Sequence, residues 1–505
     1  MATGSTIPGS RVEQRGLAYW MERVLEELDE VRTAPEADAV HDLRVALRRC
    51  RSLARVMEEV DPDPAWPKMR KIGSKLFKQL GALRDTQVLE EWVSKLGAEG
   101  GVVRQRLLTH LGKNEAEERA AALRAAGKFD AKAWKSYERV LGHRARIVAP
   151  NSLAAKSLAL ERLTAARELH LKALRTVKPG PWHELRIGVK RFRYTVESLL
   201  PELYESWGED LKRVQDLLGE VHDLDVLAET IAGVAGDEPE EARASWMERI
   251  AAERETRLDE YRQLCMGEKR LWQDWKQGLP QGEQLEAAAM ARLQATAKAL
   301  GANGGKAAQV TRLALKLYRE LGRLKVGGPF SSKQYRKVME AAARLHGIGA
   351  GLHAKSPEKA ARKFLRRLPL PVGWTEPEWD LLGLVVRYHR GKEPKAKQKG
   401  FARLTKEERE ALCAMAGVLR LARVLPKCGV ESSKGLRVER SVDALIVRAP
   451  GLEDSEGAAA RVAAGKHLLE RVLERPLIVQ RVPAETKVVE LPRREETLQV
   501  AAASD

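Results

Sequence analysis

The chain has 505 residues, a mass of 56.3 kDa and a formal net charge of +18, too long for one ordinary core and in keeping with about two to four domains. With 44% hydrophobic, 32% charged and 5% aromatic residues, the composition excludes a disordered chain and favours helices over sheets. No run of about 18 uncharged apolar residues occurs, which excludes a transmembrane helix.

The opening MATGSTIPGS lacks the basic-then-apolar order of a signal peptide. Residues 11–275 read mostly as helix, with apolar residues three and four apart and few Gly or Pro. Breaks fall at Asp61-Pro62-Asp63-Pro64, Gly97 to Gly101, Ala149-Pro150, Pro179-Gly180-Pro181 and Gly233 to Pro239. Lys276 to Gln284, with Gly278, Pro280 and Gly282, reads as an interdomain linker. A second helical region covers 285–430, interrupted at Gly327-Gly328-Pro329 and around Pro369 to Gly373. Beyond Pro426 the texture changes. Gly435 to Val447 alternates, a helix is expected near Glu456 to Leu473, and Leu477-Ile478-Val479 reads as a strand. That is a small ββαβ unit over 434–484, followed by a polar tail over 485–505. Cys50, Cys265, Cys413 and Cys428 show no CxxC spacing, which argues against zinc and against a disulfide framework. A reducing, cytoplasmic location is expected.

The charge is uneven. Residues 1–300 carry 49 basic against 48 acidic side chains, whereas residues 301–400 carry 22 against 7. Within the first part, residues 101–200 hold 21 against 9 and residues 201–250 hold 4 against 14. Clustered cations suggest a polyanion partner, because neutralising closely spaced phosphates releases bound counterions. The plainer alternative is a surface that solubilises helices.

An internal repeat singles out the residues that matter. His41-Asp42-Leu43-Arg44-Val45-Ala46-Leu47-Arg48-Arg49-Cys50-Arg51 aligns with His183-Glu184-Leu185-Arg186-Ile187-Gly188-Val189-Lys190-Arg191-Phe192-Arg193, 142 residues later. Leu80-Gly81-Ala82-Leu83-Arg84-Asp85 likewise aligns with Leu218-Gly219-Glu220-Val221-His222-Asp223, 138 residues later. On a helix advancing about 100° per residue, His41, Arg44, Arg48, Arg51 and Arg55 share an arc of roughly 80°. Leu43, Ala46, Cys50, Leu53, Ala54 and Met57 lie opposite. The second copy repeats the stripe with His183, Arg186, Lys190 and Arg193, but Glu197 stands where Arg55 would be. Like charges three and four apart destabilise a helix by a few tenths of a kcal/mol per pair, so a stripe kept cationic twice fits a bound polyanion. Phosphate suits it: the guanidinium fork takes two oxygens at once, lysine adds a point charge, and a histidine can donate.

The order His-x-x-Arg-Val/Ile-x-x-Arg/Lys-Arg-x-Arg, then Leu-Gly-x-x-x-Asp, resembles the CHAD domain over about residues 11–275, in two repeats of about 11–145 and 150–275. The resemblance implies an all-helical duplicated bundle enclosing a basic groove that binds inorganic polyphosphate. Carried over by position, the ligands would be His41, Arg44, Arg48, Arg49, Arg51, His183, Arg186, Lys190, Arg191 and Arg193, with Arg55 joining from the stripe. Arg49 and Arg191 stand at the stripe's edge. The family's Arg-Asp pair survives as Arg84-Asp85, while the second copy reads His222-Asp223; the two aspartates are expected to cap or bridge helices, or else to orient basic residues.

Residues 285–485 resemble the C-terminal HD-like domain of the exopolyphosphatase and guanosine-pentaphosphate phosphatase family, through Ala341 to Ala354, Val385 to Arg390 and Val418 to Leu425. An HD hydrolase needs carboxylates and imidazoles converging on a divalent cation. Here the doublet is His346-Gly347, and Arg423 follows Leu421-Ala422 where an acid would stand. A degenerate, non-enzymatic domain without metal or cofactor is therefore expected. His346 is expected in the core and His353 and His389 near a basic surface, a histidine-only site being the lesser alternative. Arg362-Lys363, Arg366-Arg367, Arg387, Arg390, Lys392, Lys395, Lys397 and Lys399 would form a second phosphate-polymer surface or a solvated loop.

The expected fold is mainly α: a duplicated CHAD bundle, a degenerate HD-like helical domain over 285–430 and the αβ unit. The expected function is non-catalytic polyphosphate binding in targeting or regulation, with polyphosphate-metabolising enzymes or granules as further partners and no membrane. Nucleic acid is the second candidate, weakened by the scarcity of aromatics among the basic stripes, and a phosphohydrolase the third.

Overall fold

The computed structural model describes residues 16–33, 37–97, 100–236, 238–267, 270–302 and 304–482; the expected tail over 485–505 lies outside them. In chain order the helices begin with α1 (Leu17–Thr33), α2 (Ala37–Met57), α3 (Ala65–Ile72), α4 (Ser74–Leu96), α5 (Val102–Gly127), α6 (Ala131–Ala145) and α7 (Leu153–Ala173). There follow α8 (Pro179–Leu199), α9 (Pro201–Val234), α10 (Glu240–Met266), α11 (Leu271–Gln277), α12 (Gln284–Ala299), α13 (Gly305–Arg323) and α14 (Lys333–Leu345). Then come α15 (Gly349–Leu352), α16 (Pro357–Leu365), α17 (Glu376–Tyr388), α18 (Lys399–Ala402) and α19 (Lys406–Val424), strands β1 (Arg437–Arg440) and β2 (Leu445–Pro450), helix α20 (Glu456–Leu473) and strand β3 (Leu477–Val482). The described residues divide into two compact units, those up to 302 with 347–380, and 304–346 with 381–482.

The first unit is the duplicated bundle. Asp130 and Ser152 cap α6 and α7 through their side-chain oxygens, and Pro179 and Pro201 open α8 and α9, where a missing N–H costs nothing. Helix α1 packs on α2 as α7 packs on α8; α4 pairs with α5 as α9 pairs with α10; α1 meets α6 as α7 meets α12. At the centre α2 touches α8 and α4 touches α9. On α2 the residues Leu43, Ala46, Leu47, Cys50, Ala54 and Met57 are fully buried, the face opposite the cationic stripe. Gly188 lets α8 approach α7 closely, since a Cβ there would stand 2.9 Å from Leu169.

The second repeat runs further than the sequence suggested. The stretch read as a linker is a turn: Trp275 and Leu279 are buried beside it, and α12 beyond it occupies the place that α6 holds in the first repeat. Glycine and proline mark a turn whether or not a domain ends there, and the first compact unit continues past residue 275 through α12.

In the second unit α13, α14 and α20 pack against α19, which starts with a capping box of Thr405 and Glu408. Gly417 and Gly465 allow the close crossing of α19 and α20, where added Cβ atoms would meet Leu469 at 3.0 Å and Val424 at 2.6 Å. The sheet has order β1-β2-β3, with β1 antiparallel and β3 parallel to β2, which is the expected ββαβ unit. Val438 pairs with Val447 and Leu445 with Leu477, and Leu445, Val447 and Ala449 face inward.

Candidate anion-binding cavity

Helices α2, α4, α8 and α9 of the first unit line a cavity of about 1020 Å³. Amphipathic packing places it: each of these helices turns its apolar face to the core, so the repeated cationic stripes face one another across the centre. Seven of the expected residues line it, Arg44, Arg48, Arg51 and Arg55 from the first repeat and Arg186, Lys190 and Arg191 from the second.

The other four are placed elsewhere. His41 is exposed, with Nδ1 3.1 Å from Asp42. His183 is half-buried outside the lining, its Nδ1 3.3 Å from that of His222. Arg49 donates to Glu197 at 2.6 Å and stacks over Trp20. Arg193 is buried, 3.4 Å from the Tyr204 hydroxyl. The symmetry is broken where the two sequences differ: Glu197, at the Arg55 position, draws Arg49 away, while its counterpart Arg191 keeps its place in the wall.

The lining also includes acids, and most have basic partners. Glu59 pairs with Arg162, Glu220 with Arg257, Asp216 with Lys212 at 3.2 Å and Asp85 loosely with Arg44 at 3.9 Å. Arg48, Arg51, Arg55, Arg186, Lys190 and Arg191, by contrast, form no ion pair among the described residues. Arg51 donates to the Arg70 carbonyl at 2.9 Å and lies over Phe77; Arg48 lies over Tyr194. The Nε–H groups of Arg44, Arg48 and Arg186 are buried without an acceptor among the described residues, which costs free energy.

The titration behaviour follows from this crowding. Burial, then Arg55 and Arg70, lowers Arg51 to about 10. Burial, then Arg186 and Arg44, lowers Lys190 to about 8. Burial, then Arg186 and His183, holds His222 down to about 4, so it is neutral at pH 7. Asp223 is pushed up to about 6 by burial, with Asp85 and Glu220 outweighed in part by Arg186 and Lys190. Burial leads in each case: the neighbouring cations add to the lowering of Arg51, Lys190 and His222, and Arg186 and Lys190 oppose the rise of Asp223.

Sequence reasoning did not single out Arg162, Phe77 or Glu59. Arg162 comes from α7, outside both repeated motifs, and pairs with Glu59.

The family model described as "CHAD domain" matches residues 17–232. Residues 17–232 form a CHAD domain. A second family model, "Ppx/GppA phosphatase, domain III", matches residues 290–443. A crystal structure of the CHAD domain from the plant Ricinus communis is similar to 52% of this chain and 90% of its own, at 22% identity and a TM-score of 0.36. No curated protein matches the chain. Together the CHAD and Ppx/GppA matches point to a polyphosphate-related role.

Outside the CHAD bundle, His346 and His389 sit together in the second unit, ring centroids 5.7 Å apart. Their Nδ1 atoms lie 2.8 and 2.6 Å from the carbonyls of Ala343 and Val386, so Nδ1 carries the proton in each. Burial, reinforced by Arg423, lowers both. The expectation that His389 lies near a basic surface is corrected: it is 2% exposed, because Arg420 from α19 grips the Tyr388 and Gly391 carbonyls and folds the end of α17 inward. His353 is exposed, and its Nδ1 accepts from the Ser356 N–H. Among the described residues no group of three or more His, Cys, Asp or Glu side chains could hold a metal ion. The expected second basic surface divides between the units. Arg362, Lys363, Arg366 and Arg367 belong with the CHAD unit, whereas Lys392, Lys395, Lys397 and Lys399 are exposed in the other. No helix among the described residues is long and apolar enough to cross a membrane, and the four cysteines are buried thiols.

Proposed function

We propose that this chain binds inorganic polyphosphate in the CHAD cavity without turning it over, as a targeting or regulatory module of polyphosphate metabolism in the cytoplasm or on polyphosphate granules. One observation carries the reading: six cations of a single cavity form no ion pair among the described residues, while the acids beside them are largely neutralised by other bases. A ligand of dense, repeating negative charge and no required shape satisfies that arrangement. Nucleic acid fits less well. The lining rings of Tyr194 and Phe77 each carry a guanidinium over one face, so a base stacking there would displace an arginine. The non-catalytic part of the reading rests on Gly347 and Arg423, which stand where metal-binding acids would.

The test is a titration with long-chain polyphosphate at near-physiological salt, with RNA and duplex DNA competing at matched phosphate concentration. Selective binding that is lost in Arg44→Glu with Arg186→Glu supports the reading. Equal competition by nucleic acid, or no effect of the substitutions, refutes it. Robust phosphate release by the purified protein with magnesium or manganese would refute the non-catalytic part.

A further inference from the structure

Lys190 differs from its neighbours in the cavity wall. It is half-buried and makes no hydrogen bond or ion pair among the described residues. The charged groups that act on it come from three helices: Arg186 one turn earlier on α8, Arg44 and Arg48 from α2, and Asp223 from α9. Three cations against one weakly acidic carboxyl leave its ammonium form disfavoured, and burial adds to this. With the pKa lowered to about 8, about one molecule in ten carries the free amine at pH 7, against about one in several thousand for an unshifted lysine. A free amine in a sheltered wall is a nucleophile.

What surrounds it selects the electrophile. Arg44, Arg48 and Arg186 line the same cavity as Lys190, and guanidinium groups take phosphate oxygens in pairs. We propose that Lys190 is an acylation site whose donors are acyl phosphates, held by their phosphoryl group on Arg44, Arg48 and Arg186. The amine lone pair attacks the carbonyl carbon and a C–N bond forms. The C–O bond of the mixed anhydride breaks with its electron pair leaving on the phosphate, and the amine proton passes to that departing phosphate. The products are a neutral amide on Lys190 and inorganic phosphate. The inference rests on the cavity being a phosphate site. It adds a consequence: acylation removes one of the six unpartnered cations, so polyphosphate and acyl donor compete for the cavity and an acylated protein binds the polymer more weakly.

The full chain is incubated at pH 7.5 with acetyl phosphate and, in parallel, with N-acetoxysuccinimide, an acyl donor without phosphate. Peptide mass spectrometry follows Lys190 against the exposed Lys395 and Lys397. Acetyl phosphate is expected to label Lys190 at least tenfold faster than the two references. The preference should shrink at least threefold with N-acetoxysuccinimide, and tripolyphosphate should protect Lys190 alone. Labelling of Lys190 no faster than Lys395, the same preference with both donors, or no protection by tripolyphosphate overturns the proposal. Polyphosphate binding measured on the same preparation separates the two readings. If the polymer binds and Arg44→Glu with Arg186→Glu abolishes binding while Lys190 stays unlabelled, only the acylation site is lost. If the polymer does not bind the cavity, the reading beneath it fails as well.

Discussion

Replacing Arg48 and Arg186 by glutamine tests the cavity through its salt dependence. Six cations line it without an ion pair among the described residues. If each neutralises one phosphate of a flexible single-stranded polymer, the slope of log affinity against log salt is about −4, at about 0.7 per contact. Raising salt fourfold, from about 50 to about 200 mM, then weakens binding about 300-fold. Removing two contacts leaves a slope of about −3 and a loss of about 50-fold over the same range. Stability should fall by no more than about 1 kcal/mol, because neither arginine has an ion pair to lose and only the place of Arg48 over the Tyr194 ring is given up. Arg48 also stands one turn from Arg44, so its removal relieves a like-charge pair worth a few tenths of a kcal/mol. The assay is fluorescence anisotropy of end-labelled long-chain polyphosphate across the salt range, with melting curves alongside and exposed Lys132→Gln as a control. An unchanged slope in the double variant, or an equal change in the control, would refute the assignment of these cations to the ligand.

Four further outcomes follow from the same structure. Asp61 is fully buried and accepts from Arg144 twice, at 2.6 and 2.5 Å, and from the Trp66 indole at 2.8 Å; Asp61→Ala should cost about 3–5 kcal/mol in urea unfolding, and a loss below about 1 kcal/mol would contradict the pairing. His170 is buried against Trp272 and the Tyr261 hydroxyl, and burial holds it down to about 4. Below the unfolded value of about 6.5 the unfolded imidazole takes a proton that the folded one refuses, so stability should fall by about 2 kcal/mol between pH 7 and 5, and His170→Gln should flatten that fall. Asp223, pushed up to about 6, loses its negative charge as pH drops through that value, so polyphosphate should bind more tightly at pH 5.5 than at pH 7.5. Asp223→Asn should bind tightly at both, and an unchanged pH profile in that variant would remove Asp223 from the cavity's electrostatics. Lys395→Glu with Lys397→Glu and Lys399→Glu should weaken binding and shallow the salt slope if that exposed loop contacts the polymer; no change in either would make it a solvated loop.

Much of the fold was readable in the residues themselves. The 3.6-residue period of α2 and α8 sets an apolar face against a cationic one, and the two copies show that the stripe is kept. Strand alternation in Leu445, Val447 and Ala449 is equally local, since it records which side of the chain meets the core. The likeness to a Ppx/GppA phosphatase domain III over residues 290–443 was also readable in the chain itself.

Partners were not readable, because they are chosen by residues far away in sequence. Arg49 and Arg191 are equivalent in the repeat, yet Glu197, 148 residues from Arg49, takes Arg49 out of the site and leaves Arg191 in it. Arg51 lines the cavity while its counterpart Arg193 is buried, and Arg162 enters from a helix that carries no motif. His389 lies inside because Arg420 holds the end of α17, and α12 completes the second repeat because the glycines before it make a turn rather than a boundary. The sequence by itself determined that two amphipathic helices carry a stripe of positive charge. Tertiary packing decided which of those charges stay unpaired, since a helix period specifies a direction and only a neighbour can neutralise what lies in it.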